Sequence, residues 1–259
     1  RRVRGVAGEQ RRWAACSPRH VSMLCWAFGQ ALPADPTTRR VLRRALKQLE
    51  ALRARGAGMS AQQHANVLWA WGRTARGCRD PAGTAAYNHL VGFMCNPKFK
   101  PADESALAYV SSSSALAKIH PHLDEHSQLT VQRWMERISR RCRILGFTGM
   151  KVSEVVVLLR SMMACRALHP SLLRLGVGEL NGERSALLRP FEAALVLEML
   201  ASLRLEPAPP EFLDFLGALT PRLREMRPRD LAAALWCLRR LSGSAPERDL
   251  GAALAAATA

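Results

Sequence analysis

The chain has 259 residues, with 38 Lys plus Arg against 21 Asp plus Glu, a formal net charge of +17 and a pI near 11.0. Hydrophobic residues make up 48% of it, which excludes wholesale disorder, and the cationic surplus points to an anionic partner instead of an ordinary soluble enzyme. The longest aliphatic run, Val155 to Leu159, is far short of the roughly 20 apolar residues of a membrane span, so no membrane insertion is expected.

Of the basic residues 33 are Arg and 5 are Lys, a bias toward planar, bidentate recognition of phosphate or carboxylate that a GC-rich genome would also produce. The seven cysteines are odd in number and form no C-x-x-C pair, so they are expected to be buried thiols in a reducing compartment.

The first 34 residues hold one acid, Glu9, beside Arg1, Arg2, Arg4, Arg11, Arg12 and Arg19. Such an Arg-rich, acid-poor stretch is expected to be either a matrix-targeting presequence or a basic arm lying on RNA. Next comes the first copy of a repeated string, SPRHVSMLCWAFG from Ser17 to Gly29. SAQQHANVLWAWG (Ser60 to Gly72) and RPRDLAAALWCL (Arg227 to Leu238) repeat it, placing Trp26, Trp69 and Trp236 at one position. Weaker copies fit with Tyr109, Leu159 and Glu198 there, giving spacings of 43, 40, 50, 39 and 38 residues. A period near 40 without strand-like alternation predicts an all-α solenoid of about six helix-turn-helix units. One domain over 1–259 is expected, with units near 1–32, 33–78, 79–120, 121–167, 168–206 and 207–244, and a cap or truncated unit at 245–259.

Each repeated string predicts the second helix of its unit, entered at Pro18, Pro101, Pro190 or Pro228, where a first-turn proline is tolerated. First helices are predicted from Pro36 to about Arg55 and over 81–95, 124–145 and 209–225. In the first of these Leu42, Ala45, Leu46, Leu49 and Leu52 form the apolar stripe. Segment 168–188 is interrupted by Gly176, Gly178 and Gly182, so units four and five are expected to be distorted.

HANVLWAWG (His64 to Gly72) and LAAALWCLRRL (Leu231 to Leu241) resemble the core of octotricopeptide repeats, and Pro207 to Leu241 resembles one complete unit. The other copies are similar in spacing more than in identity: units three to five lack the Trp, and only the second has the Asn equivalent to Asn66. Heptatricopeptide and FAST-kinase-like repeats read almost alike. The resemblance implies a protein acting on organellar RNA, in the mitochondrial matrix or the chloroplast stroma. It implies a subunit of a mitochondrial ribosome that binds rRNA beside neighbouring ribosomal proteins. The alternatives are a transcript maturation, stability or translation factor, and a protein scaffold.

Two Arg clusters are the expected phosphate contacts. Arg39, Arg40, Arg43, Arg44 and Lys47, followed by Arg53 and Arg55, are opposed only by Glu50, and Arg133, Arg137, Arg140, Arg141 and Arg143 only by Glu136. The alternative for both is a solvated face or one that meets an acidic partner. The family logic adds residues at the start of second helices, namely Arg19, Gln62 and Gln63, whose amides can pair with base edges. Trp26, Trp69 and Trp236 are expected to pack in the core between units, and Trp134, among arginines, is the better base-stacking candidate. His120, His122 and His126 have no distal ligand pair, and Gly176 to Gly182 lacks the Lys and Ser/Thr of a phosphate loop. Neither catalysis nor a cofactor or metal is therefore expected.

Overall fold

The structure is a computed structural model that describes residues 12–74, 81–96, 105–203, 215 and 217–242. It is an all-α helical-repeat fold, with no strand among the described residues. Contacts divide it into two compact units, residues 1–135 and 136–259. The first contains α1 (Pro18–Ala31), α2 (Pro36–Ala54), α3 (Ala61–Thr74), α4 (Pro81–Met94), α5 (Ala106–Ile119) and the first half of α6 (Glu125–Leu145). In the second are the rest of α6, α7 (Val152–Ala164), α8 (Pro170–Glu179), the single turn α9 (Glu183–Ala186), α10 (Pro190–Leu203) and α11 (Pro228–Ser242). No described helix is long and apolar enough to cross a membrane.

The repeated strings are the second helices. In the first unit α1 packs on α3 and α3 on α5, while α2 and α4 pack against them as a separate layer. The second unit repeats the pattern with α7 on α10 and α10 on α11, and with α8 against α7 and α10. Small residues let the backbones approach. Gly29 of α1 lies against Ala70 of α3, and Gly72, its equivalent one repeat later, lies against Ala115 of α5.

Caps set the helix starts. Ser17 Oγ accepts from His20 N, Ser105 Oγ from Ala108 N, and Asp35 Oδ1 from Thr37 N at 2.6 Å. Ser60 and Gln63 form a reciprocal capping box at α3. Lys151 N and Arg189 N donate to Glu154 and Glu192 three residues on, at 2.8 and 2.9 Å. At the far end of α2, Gly56 takes φ +79°, Gly56 N donates to Arg53 O and Ala57 N to Leu52 O, a Schellman closure. At the end of α7, Arg166 makes the same closure at φ 56°, with Arg166 N to Met163 O and Ala167 N to Met162 O.

The caps correct the repeat register in unit three. Placing Tyr109 at the Trp position put the helix entry at Pro101, which lies outside the described residues, but Ser105 is the cap and Ala106 the first helical residue. The second helices start at Pro18, Ala61, Ala106, Val152, Pro190 and Pro228, hence 43, 45, 46, 38 and 38 residues apart. Ser114 and Arg160, not Tyr109 and Leu159, are therefore equivalent to Trp26. The expected 168–188 first helix breaks into α8 and α9 around Gly182, which takes φ +61°. Residues 209–214 and 216 of the expected 209–225 helix, the cap at 245–259 and the arm up to residue 11 lie outside the described residues, while 215 and 217–219 are α-helical. The last turn before α11, Thr220–Glu225, is a 3-10 helix.

Of the cysteines, Cys25, Cys95, Cys142, Cys165 and Cys237 are buried free thiols, Cys16 is half-buried, and Cys78 lies outside the described residues. Burial pushes the Cys25 and Cys165 thiols up to about 12.

Candidate nucleic-acid interface

Amphipathic patterning decides which side of each helix is available. In α2 the side chains of Leu42, Ala45, Leu46, Leu49 and Leu52 are buried, leaving Arg40, Arg43 and Lys47 exposed along one outward face. Arg39 and Arg44 sit half-buried at its flanks, and Glu50 is turned aside to pair with His89 of α4. Arg53 stacks over Phe93 at 5.4 Å, and Arg55 Nε donates to Ala51 O at 3.2 Å, so both serve the helix end and its packing. Three of the seven cations, Arg40, Arg43 and Lys47, therefore line the outward face of α2.

On α6 Val131, Trp134, Met135, Ile138 and Cys142 are buried. Arg133, Arg140, Arg141 and Arg143 are exposed and Arg137 is half-buried, with Glu136 between Arg133 and Arg140 on the outer line. The start of this helix is held by Asp124, whose Oδ1 accepts from Ser127 N at 2.8 Å and whose Oδ2 accepts from Asn88 Nδ2 at 2.5 Å. Asp124 N in turn donates to Asn88 Oδ1 at 3.1 Å. The bonds from Ser127 hold the Asp124 carboxyl below the usual range.

The second helices show where sequence reasoning about the Trp residues fails. Trp26 is 48% exposed and Trp236 is 56% exposed, while Trp69 is half-buried. Trp134, the expected stacking ring, is only 4% exposed and stacks on His64 with the planes 4° apart. The buried residues of α3 are Ala61, His64, Ala65, Val67, Leu68, Ala70, Trp71, Gly72 and Thr74, and Trp69 lies at the edge of that face. A guanidinium one turn later covers the ring in two copies, Arg73 over Trp69 at 5.4 Å and Arg240 over Trp236 at 5.3 Å. The i, i+4 spacing of Trp and Arg was the available signal.

Each second helix therefore presents one outward line. On α1 it is Arg19, Met23, Trp26 and Gln30, and on α3 it is Gln62, Asn66, Trp69 and Arg73. No carboxylate occurs on either. Gln62 Nε2 donates to Asn66 Oδ1 at 2.8 Å, which leaves an amide oxygen and an amide N–H side by side. Gln63 is spent in the cap, where its Oε1 accepts from Ser60 N at 3.0 Å. Arg19 and Gln62 thus share the second-helix layer, whereas Arg40, Arg43 and Lys47 lie on the other side of the core they jointly enclose. The predicted residues on these three helices form two surfaces, not one.

The histidine motif behaves as structure. His120 is buried, the ring of His122 lies 6.5 Å from that of Tyr87, and Asp124 is the helix cap. Among the described residues no three His, Cys, Asp or Glu side chains gather as a metal site would require. Compared with known proteins, the chain matches no family model and no curated protein sequence.

Proposed function

We propose that the chain is a non-catalytic RNA-binding helical-repeat protein of the octotricopeptide type, acting in the mitochondrial matrix as an rRNA-binding subunit of a mitochondrial ribosome. The observation that carries this reading is the pair of cationic surfaces on opposite sides of one core. Arg40, Arg43 and Lys47 face outward from α2, and Arg19 and Arg73 face outward from the second-helix layer. Each Arg or Lys set on a phosphate releases condensed counterions, so both surfaces favour a polyanion. A protein that follows a single strand needs one such surface. A subunit embedded among folded RNA segments meets them on several sides.

A specific observation favours the second reading, a transcript maturation, stability or translation factor. The Trp26 and Trp69 rings and the Gln62–Asn66 amide pair lie on one acid-free face, and unpaired bases stack on such rings and bond to such amides.

Gradient sedimentation of organelle extracts, with and without ribonuclease, separates the readings. A ribosomal subunit cosediments with ribosomal particles through high salt and is released by nuclease. A transcript factor sediments in lighter, nuclease-sensitive complexes. Sedimentation in a complex that nuclease leaves intact overturns both and makes the chain a protein scaffold.

A further inference from the structure

We infer that the second unit carries a nucleotide cleft that takes an unpaired guanine of an RNA strand, a proposal that rests on the RNA-binding reading above. The cleft lies where the outward faces of α7, α10 and α11 meet and has a volume of about 800 Å³. That is within the roughly 300–1,000 Å³ of small-ligand sites. Its base is apolar, formed by Ala194 and Leu195 of α10.

One wall is the Phe191 ring, exposed to the cleft, with the Arg189 guanidinium 4.6 Å from its centroid. Arg189 is fixed in turn by Glu192, whose almost fully buried carboxylate also accepts from Arg189 N. The guanidinium therefore holds the ring in place, and the ring offers a nucleobase a stacking surface.

Cations and carboxylates divide the remaining work. Arg160 of α7 and Arg227 and Arg229 at the start of α11 line the cleft, all exposed and without a carboxylate partner among the described residues. They suit the phosphates on either side of a bound nucleotide. Of the carboxylates, Glu225 is engaged by Arg222, with Oε2 accepting from Arg222 Nη2 at 3.3 Å. Asp230 stands in the first turn of α11, where a negative charge complements the helix dipole. Glu198 is left exposed, with no hydrogen bond to its carboxylate among the described residues.

A carboxylate repels phosphate, so its presence inside a basic cleft selects what the base must offer. Two carboxylate oxygens match two adjacent donors. Guanine presents N1–H and the N2 amino group side by side, whereas adenine and cytosine present one donor beside an acceptor and uracil one donor between acceptors. In the assigned arrangement the base stacks on Phe191, Glu198 accepts from its N1–H and N2–H, and Arg160, Arg227 and Arg229 hold the backbone.

The test measures binding of the full chain to fluorescently labelled UUGUU, UUAUU and UUIUU RNA at low salt, with a longer mixed-sequence single strand as reference. UUGUU is expected to bind about tenfold or more tighter than UUAUU. Inosine keeps N1–H and loses the amino group, and falls between them. Glu198→Gln removes the preference while UUAUU binding persists, and Phe191→Ala weakens all three; circular dichroism confirms that both variants fold. Equal binding of UUGUU and UUAUU, or a preference that survives Glu198→Gln, overturns the guanine cleft while the longer strand still binds. If the longer strand also fails to bind, the RNA-binding reading falls and this proposal with it.

Discussion

A Cβ built on Gly29 of α1 would stand 2.9 Å from the Cα of Ala70 in α3, closer than side-chain carbons approach backbone. One repeat on, a Cβ on Gly72 would stand 3.0 Å from the Cα and the carbonyl oxygen of Ala115. The glycine that closes each W-x-x-G string is thus the point where consecutive second helices touch. Gly29→Ala is expected to destabilise the chain by about 1 kcal/mol or more, because overpacking outweighs the gain of about 1 kcal/mol in helix propensity. Gly92 of α4 is the contrast, since a Cβ there meets nothing within 4 Å. Gly92→Ala should stabilise by about 0.5–1 kcal/mol, and denaturant melts of the two variants should move in opposite directions.

Arg166 holds at φ 56° the position that Gly56 holds at the end of α2. A side chain in the left-handed region costs about 1–2 kcal/mol, and glycine relieves it at some expense in unfolded-state entropy. Arg166→Gly is therefore expected to raise stability by up to about 1 kcal/mol in thermal or denaturant unfolding.

Trp134 and Trp236 should respond oppositely to truncation. Trp134→Ala empties a buried site against His64 and should cost about 3–5 kcal/mol. Trp236→Ala removes an exposed ring and a surface cation–π contact, worth about 1 kcal/mol or less. Equal losses in unfolding free energy would contradict the assignment of the two rings.

The Asp124 cap gives a pH signature. Its carboxyl is depressed by the Ser127 bonds, so its folded-state pKa lies below its unfolded value. Its contribution is complete above the ordinary Asp range near 4 and is lost as pH falls through the depressed value. Asp124→Ala should cost about 1 kcal/mol at neutral pH, through loss of the cap. The difference from the parent chain should shrink on acidification below about pH 4.

Much of this architecture was legible in the sequence because it is written in local signals. The prolines at 18, 36, 190 and 228 are the observed first residues of their helices, and the apolar stripe of α2 is its buried face. The register in unit three was not legible, because Pro101 and Ser105 both announce a helix start and only the hydrogen bond from Ala108 N to Ser105 Oγ distinguishes them. Exposure of the Trp residues was hidden for a different reason. A ring at the border of an apolar stripe satisfies the same periodicity whether it turns in or out, and the neighbouring helices decide. Of the candidate site, the Arg clusters were visible as composition, but their separation into two faces required the layers. The cleft beside Phe191 draws on three helices far apart in sequence, and no spacing rule anticipates it.

Exposed cations that bind an RNA backbone release counterions, so the salt dependence of binding reads their role. The purified chain should bind a mixed-sequence single strand of about 20 nucleotides at about 50 mM salt, with log K falling linearly in log salt. Replacing Arg40, Arg43 and Lys47 with Glu should lower that slope by about 2, three cations at about 0.7 each. Absence of binding at low salt, or a slope unchanged by the triple replacement, would show that these cations do not hold an RNA backbone.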